Sequence, residues 1–180
     1  MAYDYMDAIE RAKKVKAVVL DVHGVLTNGV VLFNEEGVKF QCFHHDDGFG
    51  ANALMMSGIE VALMTRKSKI VLARAEEIGI KRVYMAKDKW SKMQELIEEL
   101  GIDLDHVCYV GDEIIDIGAM RRVGFAVAPA NGAPEVLDVA HHVTKRAGGE
   151  GMLRELGEFI LRAQGKWQPL VEKVSNMGWG

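Results

Sequence analysis

Cysteine and proline are scarce in this chain of 180 residues, which has two cysteines and three prolines. Cys42 and Cys108 are far apart, and no CxxC spacing occurs. This excludes a framework of several disulfides and a zinc site built on cysteine pairs. We therefore expect two reduced, buried thiols in a cytoplasmic protein.

The sequence also lacks long apolar runs and basic tracts. Its first residues, "MAYDYMDAIERAKKVK", have no apolar signal core, and no later apolar run reaches membrane-spanning length. The net charge is −4, so neither nucleic acid nor a membrane is predicted as a partner. With 49% hydrophobic and 27% charged residues, the composition is that of a globular domain with one core.

Short apolar segments alternate with amphipathic ones over most of the chain. The predicted strands are "KAVVLDV", "EVALMT", "HVCYVGD" and "FAVAPA", each bounded by Gly, Asp or Pro or by a polar residue. Helical segments such as "KWSKMQELIEELG" lie between them. Continuous apolar strands suit a parallel sheet that is buried on both faces. The pattern predicts a doubly wound, Rossmann-like α/β fold.

One segment interrupts this alternation. "GVVLFNEEGVKFQCF", at about residues 29–43, consists of two β-rich runs around "NEEG" and predicts a projecting β-hairpin. We expect a single domain over residues 1–165 without a large cap domain, and an extended C-terminal tail over residues 166–180.

Reactive side chains follow the predicted strands, at the edge where open α/β sheets bind ligands. Carboxylates suit Mg²⁺, and an aspartate beside that ion can attack phosphorus. A hydroxyl and a lysine can neutralise the transferring phosphoryl group. The residues concerned are Asp21, Thr65, Arg66, Lys89, Asp112 and Asp116.

Two motifs in this order, "DVHGVLT" and "GDEIID", resemble the signatures of the haloacid dehalogenase superfamily. More narrowly, the chain is similar to the small, nearly capless 3-deoxy-octulosonate 8-phosphate (KDO 8-phosphate) phosphatases. Further matching segments are "VLTNG", "DDGFG", "YVGDEIIDIGAM", "VGFAVAPANG" and "AGGEGMLREL". The resemblance extends from about residue 11 to residue 167.

The resemblance implies a Mg²⁺-dependent phosphatase of lipopolysaccharide biosynthesis. Asp21 would be the nucleophile, Asp112 a metal ligand, and Thr65 and Lys89 phosphate-binding groups. His23 would contribute its backbone carbonyl to the metal. It also implies a homotetramer in which the hairpins form a central barrel. The predicted substrate-binding residues are Arg66, Asp47 and Gly48.

The chain departs from the family pattern at four places, of which Glu113, in place of a second aspartate after Asp112, is the mildest. His23 replaces the second aspartate, which serves as general acid and base, so we expect slower turnover. "TRKS" replaces a loop with T-G-R, and Asp46 stands where an arginine is common. Two alternatives follow: a catalytically impaired tetrameric relative with a binding or assembly role, and a phosphatase for a related nonulosonate 9-phosphate.

Plainer roles remain open for several of these residues. Asp21 and Asp116 could cap turns or helices, and Lys89 could be a solvated lysine. His23, His44 and His45 could bind a transition metal, although adjacent histidines in an extended segment face opposite sides. The string "HHDD" also resembles the motif of helical HD phosphohydrolases, but the predicted β-strand context of this segment argues against that class. The remaining histidines, including His141 and His142, are expected at the surface or beside strands.

Overall fold

The structure is a computed structural model, which describes residues 4–37, 39–66, 68–85 and 88–177. Its strands in these ranges are β1 (Ala17–Leu20), β2 (Leu32–Phe33), β3 (Lys39–Phe40), β4 (Glu60–Thr65), β5 (Arg82–Met85), β6 (Val107–Val110), β7 (Phe125–Ala128) and β8 (His142–Val143). Six of them form one sheet in the order β5-β4-β1-β6-β7-β8, with every pairing parallel.

The helices in the described ranges are α1 (Tyr5–Lys14), α2 (His45–Met56), α3 (Lys69–Glu77), α4 (Lys89–Leu100), α5 (Ile117–Met120), α6 (Pro134–Leu137), α7 (Met152–Ala163) and α8 (Trp167–Asn176). Short 3₁₀ turns occupy Leu104–His106 and Ile114–Asp116. None of the helices in the described part of the chain is long and apolar enough to span a membrane.

Both faces of the sheet are covered, which explains the continuously apolar strands. In β1, Val18 and Leu20 belong to the core layer shared with α1, α2 and α7, whereas Val19 belongs to the layer shared with α4 and α5. All four residues of β1 are buried. The sheet therefore requires apolar side chains at consecutive positions, as a buried parallel sheet does.

The strand order places β1 where the direction of winding reverses. The chain passes from β1 outward to β4 and β5, and then returns to the other side of β1 with β6. Ligands of doubly wound sheets bind beyond the carboxyl ends of the strands at this point. The predicted fold class is confirmed, and β1 and β6 deliver their following loops to the same place.

The predicted hairpin is present, but its paired region is short. Among the described residues of the hairpin, Leu32–Phe33 pair with Lys39–Phe40 in antiparallel register. Gly37 closes the turn with a φ of +76°, and its N–H donates to the carbonyl of Asn34 at 3.0 Å. All four paired residues are exposed.

The C-terminal segment is a helix and not the extended arm expected from the sequence. In α8, Trp167 and Leu170 are buried against the core, with Val174 packed beside them. Pro169 lies in the first turn, where its missing N–H removes no helical hydrogen bond. The apolar residues three and four apart were too few to predict the helix from sequence.

Three smaller expectations also need correction. Cys108 is buried, but Cys42 is exposed just after β3. His44 and His45 do not lie in a strand, since His44 caps α2 and His45 is its first residue. His142 is buried in β8, with its ring stacked 4.5 Å from that of Phe159.

Candidate active site

Asp21 is held at the centre of the sheet edge by a turn that is anchored in the core. The Asp21 N–H donates to the carbonyl of Val110 on β6 at 2.9 Å. After it, the N–H groups of Val25 and Leu26 donate to the carbonyl of Val22, and all three of these side chains are buried. The apolar residues of "DVHGVLT" thus fix the loop that carries Asp21.

Glycine at position 24 allows this loop to approach the loop after β6. Gly24 has a φ of +81°, and a Cβ atom there would lie 1.9 Å from the Asp112 Oδ2 atom. Gly111 makes a similar close approach, since its Cβ would lie 2.3 Å from the Cβ of Asp116. Only glycine permits such contacts without displacement. The two motifs therefore converge on one set of carboxylates.

Lys89 joins these carboxylates from the start of α4. Its Nζ lies 3.1 Å from Asp21 Oδ1 and 2.6 Å from Asp116 Oδ1. Asp116 is fully buried and also accepts a hydrogen bond from the Tyr109 hydroxyl at 2.8 Å. A cation is unfavourable at a helix N-terminus, and the two carboxylates offset that cost.

Burial and charge repulsion set the protonation of the carboxylates. Burial raises the pKa of Asp21 above its ordinary value, although the Lys89 ammonium opposes the shift. Burial, together with Asp21 and Asp116, raises the pKa of Asp112 to about 7. A cation bound among them would favour the charged forms.

The residues present fit a divalent cation. Asp21 and Asp112 bring carboxylate oxygens within 4.8 Å of each other, and an Asp116 oxygen lies within the same distance of both. Asp112 Oδ1 is buried and has no hydrogen-bond partner among the described residues. A hard cation such as Mg²⁺ prefers carboxylate oxygens of this kind.

A pocket of about 750 Å³ opens over this cluster. Five of the predicted residues contribute to its wall: Asp21, His23, Arg66, Lys89 and Asp112. His23 is half-buried, and its side chain makes no hydrogen bond within the described ranges. The wall also includes Trp90, Ile115 and Arg122, with the Arg122 guanidinium 4.9 Å from the Trp90 ring centre. Sequence reasoning missed this second group, because Trp90 fits the apolar stripe of α4 and no motif marks the other two residues.

Other predicted site residues lie elsewhere. Thr65 ends β4, the strand beside β1, but it is buried and not in the pocket wall; its Oγ1 has no partner among the residues described. Asp47 accepts the Leu153 N–H at 2.8 Å at the start of α7. Gly48 is buried beside Arg74 and Ile78. The structure therefore does not bring Asp47 or Gly48 to this pocket, and Lys67 of "TRKS" lies outside the described residues.

Comparison with known proteins identifies the family. Residues 83–156 match the haloacid dehalogenase-like hydrolases. The chain is 38% identical to the 3-deoxy-D-manno-octulosonate 8-phosphate phosphatase of Escherichia coli (strain K12) over 162 residues, which cover 89% of this chain and 86% of the relative. The chain belongs to this phosphatase family. The predicted family and enzyme class are thereby confirmed.

Solved structures of the family agree with the fold. A Moraxella catarrhalis phosphatase of this name, in complex with magnesium, phosphate and KDO, is 35% identical, with a TM-score of 0.91 and coverage of 95% of this chain and 99% of that one. The cobalt-bound Haemophilus influenzae phosphatase is 33% identical, with a TM-score of 0.83 and coverage of 87% and 93%. The predicted Mg²⁺ cofactor agrees with these relatives and with the acidic cluster.

Proposed function

We propose that the chain hydrolyses KDO 8-phosphate through an aspartyl-phosphate on Asp21. The observation that carries this proposal is the convergence of Asp21, Lys89 and Asp112 in one pocket. The curated relative named above is a phosphatase for this substrate, and the Moraxella structure contains KDO and phosphate.

In the first step, a carboxylate oxygen of Asp21 attacks phosphorus, and the bond between phosphorus and the sugar oxygen breaks. His23, which lines the pocket, donates a proton to the leaving oxygen. In the second step, His23 accepts a proton from water, and the resulting hydroxide attacks phosphorus. Phosphate leaves, and Asp21 is regenerated as a carboxylate.

Lys89 supports both steps because its ammonium is already beside Asp21 and can neutralise charge on the phosphoryl oxygens. The carboxylates of Asp21 and Asp112, with the backbone carbonyl of His23, would hold Mg²⁺. When bound, that ion supplies charge neutralisation to the phosphoryl group. Arg66 lines the same pocket and is the proposed partner for the acidic group of the sugar.

We also propose that the chain acts as a homotetramer assembled through the hairpin. Leu32, Phe33 and Phe40 are each more than half exposed in the single chain. A two-stranded hairpin is marginally stable by itself, so its apolar side chains favour burial against other copies. The cytoplasm remains the predicted location.

The test is phosphate release from KDO 8-phosphate in the presence of Mg²⁺. We expect Asp21→Asn to abolish release, and Asp112→Asn to require far more Mg²⁺. Asp103→Asn is the matched control, because Asp103 is exposed and caps no N–H group. Activity in Asp21→Asn would contradict the mechanism. Faster release from a nonulosonate 9-phosphate would assign the alternative substrate, and binding without release would support a binding role.

A further inference from the structure

Every hydrogen-bonding position of the Asp116 carboxylate is occupied. Its Oδ1 accepts from Lys89 Nζ at 2.6 Å and from the Tyr109 hydroxyl at 2.8 Å. Its Oδ2 accepts from the N–H groups of Asp112 at 3.2 Å and Glu113 at 3.3 Å. A carboxylate offers about four lone-pair positions. Asp116 therefore has none left for a metal ion, whereas Asp112 Oδ1 has no partner among the described residues.

The Tyr109 ring is fixed by its position in the sheet. Tyr109 lies in β6, is fully buried, and packs with Val19, Met64 and Met120 in one core layer. Burial and the charge of Asp116 hold the pKa of the Tyr109 hydroxyl well above its ordinary value. The hydroxyl therefore stays protonated and donates to Asp116, in a direction that the rigid strand sets.

Lys89 needs an anchor besides Asp21. In the proposed reaction, an Asp21 oxygen becomes bonded to phosphorus, so its negative charge is lost from the pair with Lys89. The remaining carboxylate in contact with the ammonium is then Asp116, whose side chain has no exposed surface. Lys89 also begins α4, where the helix dipole repels its charge. The position of Asp116 thus controls that of Lys89 throughout the reaction.

We infer that Tyr109 is a positioning residue for the reaction: its hydroxyl, with the two backbone N–H groups, holds Asp116 as a dedicated acceptor for Lys89 and not as a metal ligand. The inference rests on the proposed function for its kinetic consequence. The structural part of the inference is that the Tyr109 hydroxyl keeps the Lys89 ammonium ordered, and this part can be tested without turnover.

The kinetic test compares Tyr109→Phe with Tyr84→Phe. Tyr84 is the matched control, because it lies in β5 of the same sheet and donates to a carboxylate, Glu99, at 3.0 Å outside the pocket. We expect Tyr109→Phe to lower kcat about 10-fold, the cost of one hydrogen bond to a charged group, with KM and the Mg²⁺ requirement nearly unchanged. We expect Tyr84→Phe to leave kcat unchanged.

A double mutant separates positioning from a general loss of structure. If Tyr109 acts through Lys89, adding Tyr109→Phe to Lys89→Gln changes kcat by less than about twofold. A further 10-fold loss in that background would overturn the inference. An equal loss of kcat in Tyr109→Phe and Tyr84→Phe, or an increased Mg²⁺ requirement in Tyr109→Phe, would overturn it too.

A second measurement needs no substrate. In metal-free, ¹⁵N-labelled protein, an ammonium group held by two carboxylates should exchange slowly and give a resolved lysine ¹⁵N–¹H signal. Its absence from Lys89→Gln assigns the signal. We expect Tyr109→Phe to broaden or remove it and Tyr84→Phe to retain it. An unchanged signal in Tyr109→Phe refutes the inference even if the chain hydrolyses KDO 8-phosphate. A lost signal supports it even if the substrate proposal fails.

Discussion

His23 is the single residue on which the proposed rate depends most. It lines the pocket together with Asp21. It stands at the position where the family pattern has a second aspartate. A positioned acid–base group contributes roughly 10²- to 10⁴-fold to a rate, and the imidazole of His23 is bulkier than the carboxylate that it replaces. We therefore expect His23→Asp to raise kcat for phosphate release by about 100-fold or more.

The control for this variant is the double substitution with Asp21→Asn, which should be inactive if the gain comes from the same site. A His23→Asp protein that is slower than the parent would mean that the imidazole is the better acid and base in this pocket. In that case the departure from the family pattern is an adaptation and not an impairment.

The sequence predicted individual residues well where the backbone alone determines their place. Asp21 and Asp112 follow adjacent strands of a parallel sheet, so the strand pattern was sufficient to bring them together. Asp47 could not be placed in this way, because its position depends on how α2 packs against the start of α7. Tyr109 was hidden for a different reason, since an apolar strand does not reveal where one hydroxyl points.

Among the structural elements, the loop before α7 supports the loop that carries His23. A Cβ atom at Gly148 would lie 1.7 Å from the carbonyl oxygen of Gly24, and the neighbouring Gly149 N–H donates to the carbonyl of Val25 at 2.9 Å. Gly148→Ala must therefore displace the His23 loop. Overpacking costs about 1–3 kcal/mol, and we expect kcat/KM to fall at least about 10-fold with a lower Tm.

Gly48→Ala provides the comparison for this prediction. A Cβ atom there would meet the Ile78 Cγ2 methyl at 3.1 Å and the Arg74 guanidinium at 3.2 Å, which are side-chain contacts much longer than the 1.7 Å backbone contact at Gly148. We expect its KM and kcat to remain close to those of the parent. An increase in KM for Gly48→Ala would support the role in substrate binding that the sequence suggested, and unchanged kinetics in Gly148→Ala would contradict the coupling of the two loops.

Helices and strands with many apolar residues could be predicted from the sequence, whereas elements that are short or that combine apolar with charged residues could not. The strand "EVALMT" and the helix "KWSKMQELIEELG" correspond to β4 and α4, the latter ending at Gly101 with a φ of +61°. The edge strand β5 escaped prediction because its residues are only partly buried and include Arg82. The extent of α8 depends on tertiary packing of Trp167 and Leu170, which local sequence does not contain.

At the scale of the whole molecule, the hairpin predicts how copies assemble. Phe33 is 62% exposed and Phe40 is 54% exposed, although both are large and apolar. We expect Phe33→Asp combined with Phe40→Asp to convert a tetramer to smaller species in analytical ultracentrifugation. Met6→Asp is the control, because Met6 is 63% exposed on α1, outside the hairpin. A parent protein that sediments as a monomer would contradict the assembly.

His142 should make the fold less stable as the pH is lowered. This side chain is 6% exposed and packs against the rings of Phe125 and Phe159, which also contact each other. Burial lowers its pKa from 6.5 to about 4. Between these two values the unfolded chain binds a proton that the folded chain does not. The free energy of unfolding must therefore rise with pH in this window and decrease as the pH falls.

From pH 7 to pH 5 we expect His142 to account for a loss of about 2 kcal/mol in the free energy of unfolding, from a shift worth about 1.4 kcal/mol per pH unit. Urea titrations at both pH values, at one protein concentration, measure it against His142→Phe. Every other titrating group is common to the two proteins, so the difference between their pH dependences isolates the imidazole. Equal losses in both would show that His142 is protonated at little cost in the folded state, and that its packing against the two phenylalanine rings does not exclude the charged form.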